Sequence, residues 1–266
     1  MKKIFLTGAS SGIGKAIAIA AAEQGHEVWG TSRKISRLPA MPRLHPVQLD
    51  LCDPASIDKA FNSALAEAGV FDVVINNAGS GHFGPAESLS EKQIADQFQV
   101  LVFGQLQLMR LALAAMPSPR EGLIINVTSL ASRLPVPFMA AYSAAKAALA
   151  VFTMSIQLEL ENSRVRMVDL QPGDICTSFN DTVPKIEHDA RYQQKLAKTW
   201  EAVDRNMRNA PKPDLVATKV LALIEQNNPP PRVTVGDAFQ SKIAPFIFRF
   251  LPQRLRIWGL KKYYGI

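Results

Sequence analysis

At 266 residues, 47% hydrophobic and 20% charged, the chain can bury one large globular core and lacks the polar bias of a disordered protein. Its formal charge of +7 gathers at the carboxyl end: six of the 30 Lys and Arg, and no Asp or Glu, lie in residues 239–266, which leaves 24 basic against 23 acidic residues elsewhere. That excludes a nucleic-acid footprint across the main body. Two distant cysteines, Cys52 and Cys176, with no CxxC and no histidine at ligand spacing, exclude a disulfide framework, argue against a metal site and suit a reducing, cytoplasmic setting.

No run of eighteen apolar residues appears, so an integral membrane protein is not expected. The opening Met1-Lys2-Lys3-Ile4-Phe5-Leu6 resembles the start of a signal peptide, but Gly8, Ser10, Ser11, Gly12 and Gly14 interrupt it at once, and it reads as folded protein. From there, short β-branched or apolar runs alternate with longer segments of helical period. Strands are predicted over 3–7, 27–32, 45–50, 72–76, 122–128, 164–170 and 232–235, and helices over 12–24, 54–68, 90–116, 139–162 and 213–226. This alternation predicts an α/β chain: a single-domain, doubly wound, seven-stranded parallel sheet of Rossmann type with helices on both faces. Its strand ends should collect into one ligand-binding edge.

The first strand runs into Thr7-Gly8-Ala9-Ser10-Ser11-Gly12-Ile13-Gly14 at the start of a helix, where backbone amides and the positive helix end can hold a pyrophosphate. Gly8 permits the tight turn, Gly12 the close approach of phosphate, and Gly14 the packing of helix on strand. At the end of the second strand an acidic residue would bind a ribose 2′-hydroxyl and repel a 2′-phosphate. The chain instead has Gly30-Thr31-Ser32-Arg33-Lys34, and the Arg33 guanidinium suits bidentate phosphate contact. NADP(H) is therefore favoured over NAD(H). Asp50 closes the third strand and, with Leu51, is placed to meet adenine. Asn76-Asn77-Ala78-Gly79 follows the fourth, its small residues and Asn77 suited to lie against a ribose, whereas Asn76 suits a structural Asx role.

Ser129 follows the fifth strand, and Tyr142-Ser143-Ala144-Ala145-Lys146 lies in an alanine-rich helix whose spacing places phenol and ammonium on one face. After the sixth strand comes Pro172-Gly173-Asp174-Ile175-Cys176-Thr177. Together these motifs resemble the short-chain dehydrogenase/reductase family, with its TGxxxGxG opening, NNAG segment, serine and YxxxK, over residues 3–177. The resemblance implies that Tyr142 exchanges a proton with the substrate oxygen while hydride passes to or from the nicotinamide. Lys146 and the positive nicotinamide of the oxidised cofactor would lower the phenol pKa from about 10; Lys146 would also bond the nicotinamide ribose, and Ser129 would hold the substrate oxygen. Pro172, Gly173, Ile175 and Thr177 would border the nicotinamide, with the Ile175 amide and Thr177 hydroxyl on its carboxamide or a phosphate. The family also suggests homo-oligomers. One position departs: the relay asparagine of many members is Leu101 here, which cannot hydrogen-bond through its side chain.

His26, His45, His82 and His188 fall at no motif and read as surface or structural. Residues 176–212 break the alternation and are expected to form a helical flap over the site, with Glu187 and Asp189 on a solvated face. Phe179, Tyr192, Trp200 and Met207 of this flap, with Phe246, Ile247, Phe248, Phe250, Leu251 and Trp258 of the tail, predict an apolar pocket for a lipophilic alcohol or carbonyl substrate. Asn228-Pro229-Pro230-Pro231-Arg232, leading into the last strand, is similar to family branches acting on retinoids and steroids. The basic, aromatic tail has two readings: packing on the pocket or an oligomer partner, or peripheral contact with an anionic membrane. Pro245 and Pro252 argue against one long helix there. The resulting expectation is an NADP(H)-dependent carbonyl–alcohol oxidoreductase. Its rivals are a cofactor-binding sensor or interaction protein with little turnover, and a membrane-surface scaffold.

Overall fold

The computed structural model describes residues 1–116, 121–187 and 189–266, so His188 lies outside the described residues. In chain order the elements are β1 (Lys3–Leu6), α1 (Gly12–Glu23), β2 (Glu27–Ser32), β3 (Leu44–Gln48), α2 (Pro54–Ala68), β4 (Val73–Asn76), α3 (Glu91–Phe98), α4 (Gly104–Ala115), β5 (Gly122–Val127), α5 (Ala140–Glu159), β6 (Val165–Pro172), α6 (Phe179–Thr182), α7 (Gln193–Asn209), α8 (Asp214–Ile224), β7 (Arg232–Val235), α9 (Ala244–Phe250) and α10 (Gln253–Tyr264). The strands form one parallel sheet in the order β3-β2-β1-β4-β5-β6-β7.

A parallel sheet must be covered on both faces, and the alternation of side chains along each strand assigns them. Ile4 and Leu6 of β1 join Ile75, Val168 and Leu170 under α1 and α8, against Ile17, Ala21, Val216 and Val220. Phe5 points the other way, into a layer with Ile57 and Phe61 of α2, Leu108 and Met109 of α4 and Leu149 of α5. Phe5 meets the Phe61 and Phe71 rings at centroid distances of 5.2 and 5.4 Å. The winding reverses between β1 and β4, opening a crevice at the carboxyl ends of the strands.

Several predicted boundaries shift. β3 ends at Gln48, and Asp50 instead opens a turn in which its carboxylate accepts from Cys52 N at 2.9 Å and its own N–H donates to Ser56 Oγ at 3.0 Å. The helix predicted over 90–116 is divided by a π-helical turn, Gln99–Phe103. The whole stretch Glu91–Ala115 is long and apolar enough to cross a membrane, with a mean hydropathy of 1.4 over eighteen residues, a property the search for unbroken apolar runs missed. Here Leu101, Val102, Leu108, Met109 and Ala112 face the protein core, and 39% of that window is buried.

In the tail, extended Leu251 before Pro252 separates α9 from α10, because a residue preceding proline is disfavoured in the helical region. α10 turns back against α7 and buries Tyr264.

Candidate active site

One cavity of about 1070 Å³ runs along the crevice, above the usual range of roughly 300–1,000 Å³ for a single small ligand. Gly8, Ser10, Ser11, Gly12, Ile13 and Gly14 border one end; Arg33, Asp50 and Leu51 the adjoining wall; Asn77, Ala78, Gly79, Ser129, Tyr142 and Lys146 the middle; and Pro172, Gly173, Ile175 and Thr177 the opposite wall. Every site residue expected from the sequence thus meets one space, because parallel strands deliver all their carboxyl ends to the same edge.

The glycine loop has little room for side chains. Gly8 and Gly12 have φ of +71° and +52°, the left-handed region that costs other residues strain. A Cβ on Gly14 would lie 2.2 Å from the Gly8 carbonyl oxygen and 2.4 Å from Asn77 Nδ2, and one on Gly12 would meet Thr177 at 3.3 Å. Ser11 caps α1 without a side-chain bond, so the first-turn amides, which have no partner inside a helix, are turned to the cavity. This cradle fits the diphosphate of a dinucleotide.

Asn77 borders the cavity, and its amide has a second task. Its Nδ2 donates to the Thr7 and Gly8 carbonyls at 2.9 and 3.3 Å, so the amide braces the glycine loop. Asn76 is buried and donates to Asn126 Oδ1 at 2.8 Å, in keeping with a structural role. Arg33 is exposed beside Lys34, and Arg37, one turn further on, also borders the cavity. No carboxylate lies within ion-pair distance of these three among the described residues. Arg37 was missed, although its place four residues after Arg33 was a readable signal.

The Ser129 hydroxyl accepts from Ala131 N at 3.0 Å and borders the cavity together with the Tyr142 phenol, whose pKa it acts to lower. Neighbouring Thr128 is committed elsewhere, donating to buried Asp169 at 2.5 Å. Lys146 is 4% exposed and donates to the Val127 carbonyl at 2.8 Å. Burial lowers its pKa to about 8, with Asp169 acting in the opposite sense.

The lowering expected for Tyr142 is reversed in the protein alone. Burial raises the phenol pKa, Ser129 opposes this, and Asp174 adds to it. Lys146 Nζ is 6.0 Å from the ring centroid, and loss of water around the phenol is the largest effect on its pKa.

Leu101 is fully buried with Val102 and Ala145. A Cβ on Gly79 would lie 3.4 Å from the Leu101 side chain and 3.9 Å from Lys146 Nζ. The surroundings of the ammonium are therefore apolar on that side. His82, expected to be surface or structural, borders the cavity but is held at 3.1 Å by Gln97. His26 is buried, its pKa lowered by that burial, and His45 stacks on Trp29 at 4.3 Å; both are structural.

Beyond Tyr142 the cavity wall mixes apolar side chains with polar ones such as Asn180, Thr182 and Arg256. Phe179 lies 5.8 Å from the Tyr142 ring, and Met207, Ile247, Phe248, Leu251 and Leu260 continue the wall. Tyr192 and Trp200 pack behind it in a cluster with Phe83 and Met139. A network unseen in the sequence closes this end. Gln240 donates from Nε2 to Asp174 Oδ2 at 2.5 Å and to the Tyr263 hydroxyl at 3.1 Å, and accepts from Asp174 N at 3.0 Å. Asn206 donates to the same hydroxyl at 2.8 Å. Burial raises the Asp174 pKa. No local pattern announces contacts between residues 57 and 66 positions apart.

Fold and site together define an oxidoreductase of the Rossmann type with a place for a nicotinamide dinucleotide. Residues 2–188 match the family pattern described as short chain dehydrogenase, and the chain belongs to that family, whose members act on alcohol and carbonyl groups. It is similar to a 3-ketodihydrosphingosine reductase of Bacteroides thetaiotaomicron, at 31% identity over 266 residues, covering 99% of this chain and 98% of that one. Among solved structures it resembles a short-chain dehydrogenase from Streptomyces avermitilis, with a TM-score of 0.83, 28% identity and coverage of 97% and 96%. It also resembles a Burkholderia cenocepacia short chain dehydrogenase in complex with NADP, with a TM-score of 0.73, 28% identity and the same coverage.

Proposed function

We propose that this protein is an NADP(H)-preferring reductase or dehydrogenase that interconverts a ketone and a secondary alcohol on a lipophilic, long-chain substrate. The observation that carries the reading is one continuous cavity, which joins a phosphate cradle and Arg33, Lys34 and Arg37, none paired with a carboxylate among the described residues, to Ser129, Tyr142 and Lys146 and then to a wall rich in apolar side chains. The Bacteroides relative is named for a ketone on a long-chain base, which makes 3-ketodihydrosphingosine the first substrate to try.

When bound, the nicotinamide supplies or accepts hydride. The chain's own residues do the rest. The first-turn amides of α1 hold the diphosphate, and Arg33 with Arg37 contacts the 2′-phosphate. Ser129 keeps a proton to donate to the substrate oxygen while its own oxygen accepts from Ala131 N. Tyr142, neutral in its buried setting, donates its phenolic proton to that oxygen in the reductive direction and takes it back in the oxidative one. Lys146, held by Val127, keeps positive charge close to the phenolate that results.

NADPH oxidation measured over long-chain ketones, with Tyr142→Phe as the comparison, tests this. The variant should lose about 10²–10⁴-fold in kcat with NADPH affinity retained. Unchanged turnover in Tyr142→Phe, or NADPH binding with no turnover across the panel, would overturn it.

A further inference from the structure

Helices α9 and α10 have two unlike faces. Ile247, Phe248, Leu251, Leu255, Leu260 and Tyr263 turn toward the cavity. Away from it, Phe246, Phe250 and Trp258 stand 66%, 69% and 61% exposed, and Ile243 and Ile257 of the same segment are each nearly half exposed. Large apolar side chains scattered singly over a surface need no explanation, but a contiguous set does. Phe246 and Phe250 lie edge to face at 5.1 Å.

Each part of this aromatic set has a cation beside it. Lys262 Nζ lies 5.3 Å from the Trp258 ring centroid, and the Arg249 guanidinium lies 6.0 Å from that of Phe250. Lys242, Arg254 and Lys261 complete a surface with no acidic residue anywhere in residues 239–266. We infer that this face docks the protein on an anionic lipid bilayer, with Phe246, Phe250 and Trp258 entering the interfacial layer and the cations meeting lipid phosphates. A second copy is a poor occupant, because a symmetric contact would set two tail segments, each with six cations and no acidic residue, against each other. The charge pattern selects a negative partner, and the unpaired rings select one that is apolar just beneath its charge.

The two faces also give the surface a use. The wall that would rest on the bilayer is the wall of the substrate cavity, so a lipid ketone would pass between α9, α10 and α7 to Tyr142 without crossing water. This last step rests on the function proposed above; docking itself does not.

The test uses the full chain loaded with NADPH and sedimented with vesicles of phosphatidylcholine containing about 30% phosphatidylglycerol, or of phosphatidylcholine alone. Partitioning should be on the order of tenfold stronger on the anionic vesicles and fall away at about 1 M salt, where the Debye length is about 3 Å. Phe250→Ser and Trp258→Ser, together with Lys261→Gln/Lys262→Gln, should each weaken it, while reduction of a water-soluble ketone stays within about twofold, since none of these residues borders the cavity. Equal partitioning on both vesicle types would overturn the inference, as would full binding by all the variants. So would gel filtration showing a dimer that these variants dissociate, which would assign the face to a second copy. A protein that bound anionic vesicles but reduced no ketone would refute the proposed activity and leave docking standing.

Discussion

Replacing Lys146 by methionine should make the protein more stable at neutral pH while removing most of its activity. The ammonium is 4% exposed, and burial brings its pKa from 10.5 to about 8. At about 1.4 kcal/mol per unit, the folded protein carries a penalty of roughly 3 kcal/mol for holding the charge. A folded pKa below the unfolded one means that this penalty is present in full below about pH 8. It shrinks as pH rises toward 10.5, because there the unfolded chain binds the proton and the folded one does not. Methionine removes the penalty and forfeits the bond to the Val127 carbonyl, worth about 1 kcal/mol. The expected net gain is about 2 kcal/mol near pH 7, gone by about pH 10. Urea unfolding of both proteins without cofactor at these two pH values measures it. A variant less stable than the parent near pH 7, or a difference that does not change with pH, would refute the reasoning. Turnover by the variant should fall by about 10²-fold or more.

Arg33→Ala should raise the KM for NADPH by about 10- to 100-fold, the worth of one charge-assisted contact partly backed by Arg37, and leave that for NADH nearly unchanged; equal effects on both cofactors would show that Arg33 does not read the 2′-phosphate. Gly14→Ala places a Cβ 2.2 Å from the Gly8 carbonyl oxygen, so the loop must shift. A loss of about 1–3 kcal/mol in stability and weaker dinucleotide binding by fluorescence titration are expected. Leu101→Asn puts an amide into a fully apolar site beside Val102 and Ala145 and should cost about 1–3 kcal/mol, seen as a lowered Tm. A rise in Tm would mean that the amide finds a partner near Lys146.

What the sequence by itself determined follows from short-range chemistry. Alternating apolar strands and periodic helices dictate a doubly wound parallel sheet, and that topology alone brings Gly8, Ser129, Tyr142 and Thr177 to one edge. The glycines, Arg33, and the spacing of Tyr142 and Lys146 were legible because each motif is local. Tertiary structure decided what depends on residues far apart. Asn77 turned out to brace the glycine loop because the loop's carbonyls pack over it. The Tyr142 phenol pKa is raised because burial, reinforced by Asp174, outweighs the effect of Ser129. Gln240, Asp174, Tyr263 and Asn206 meet only when the chain folds back on itself, and the same fold divides the tail into a cavity wall and an exposed cationic, aromatic face. Composition could name the residues of that tail, but only packing could show which way each one points.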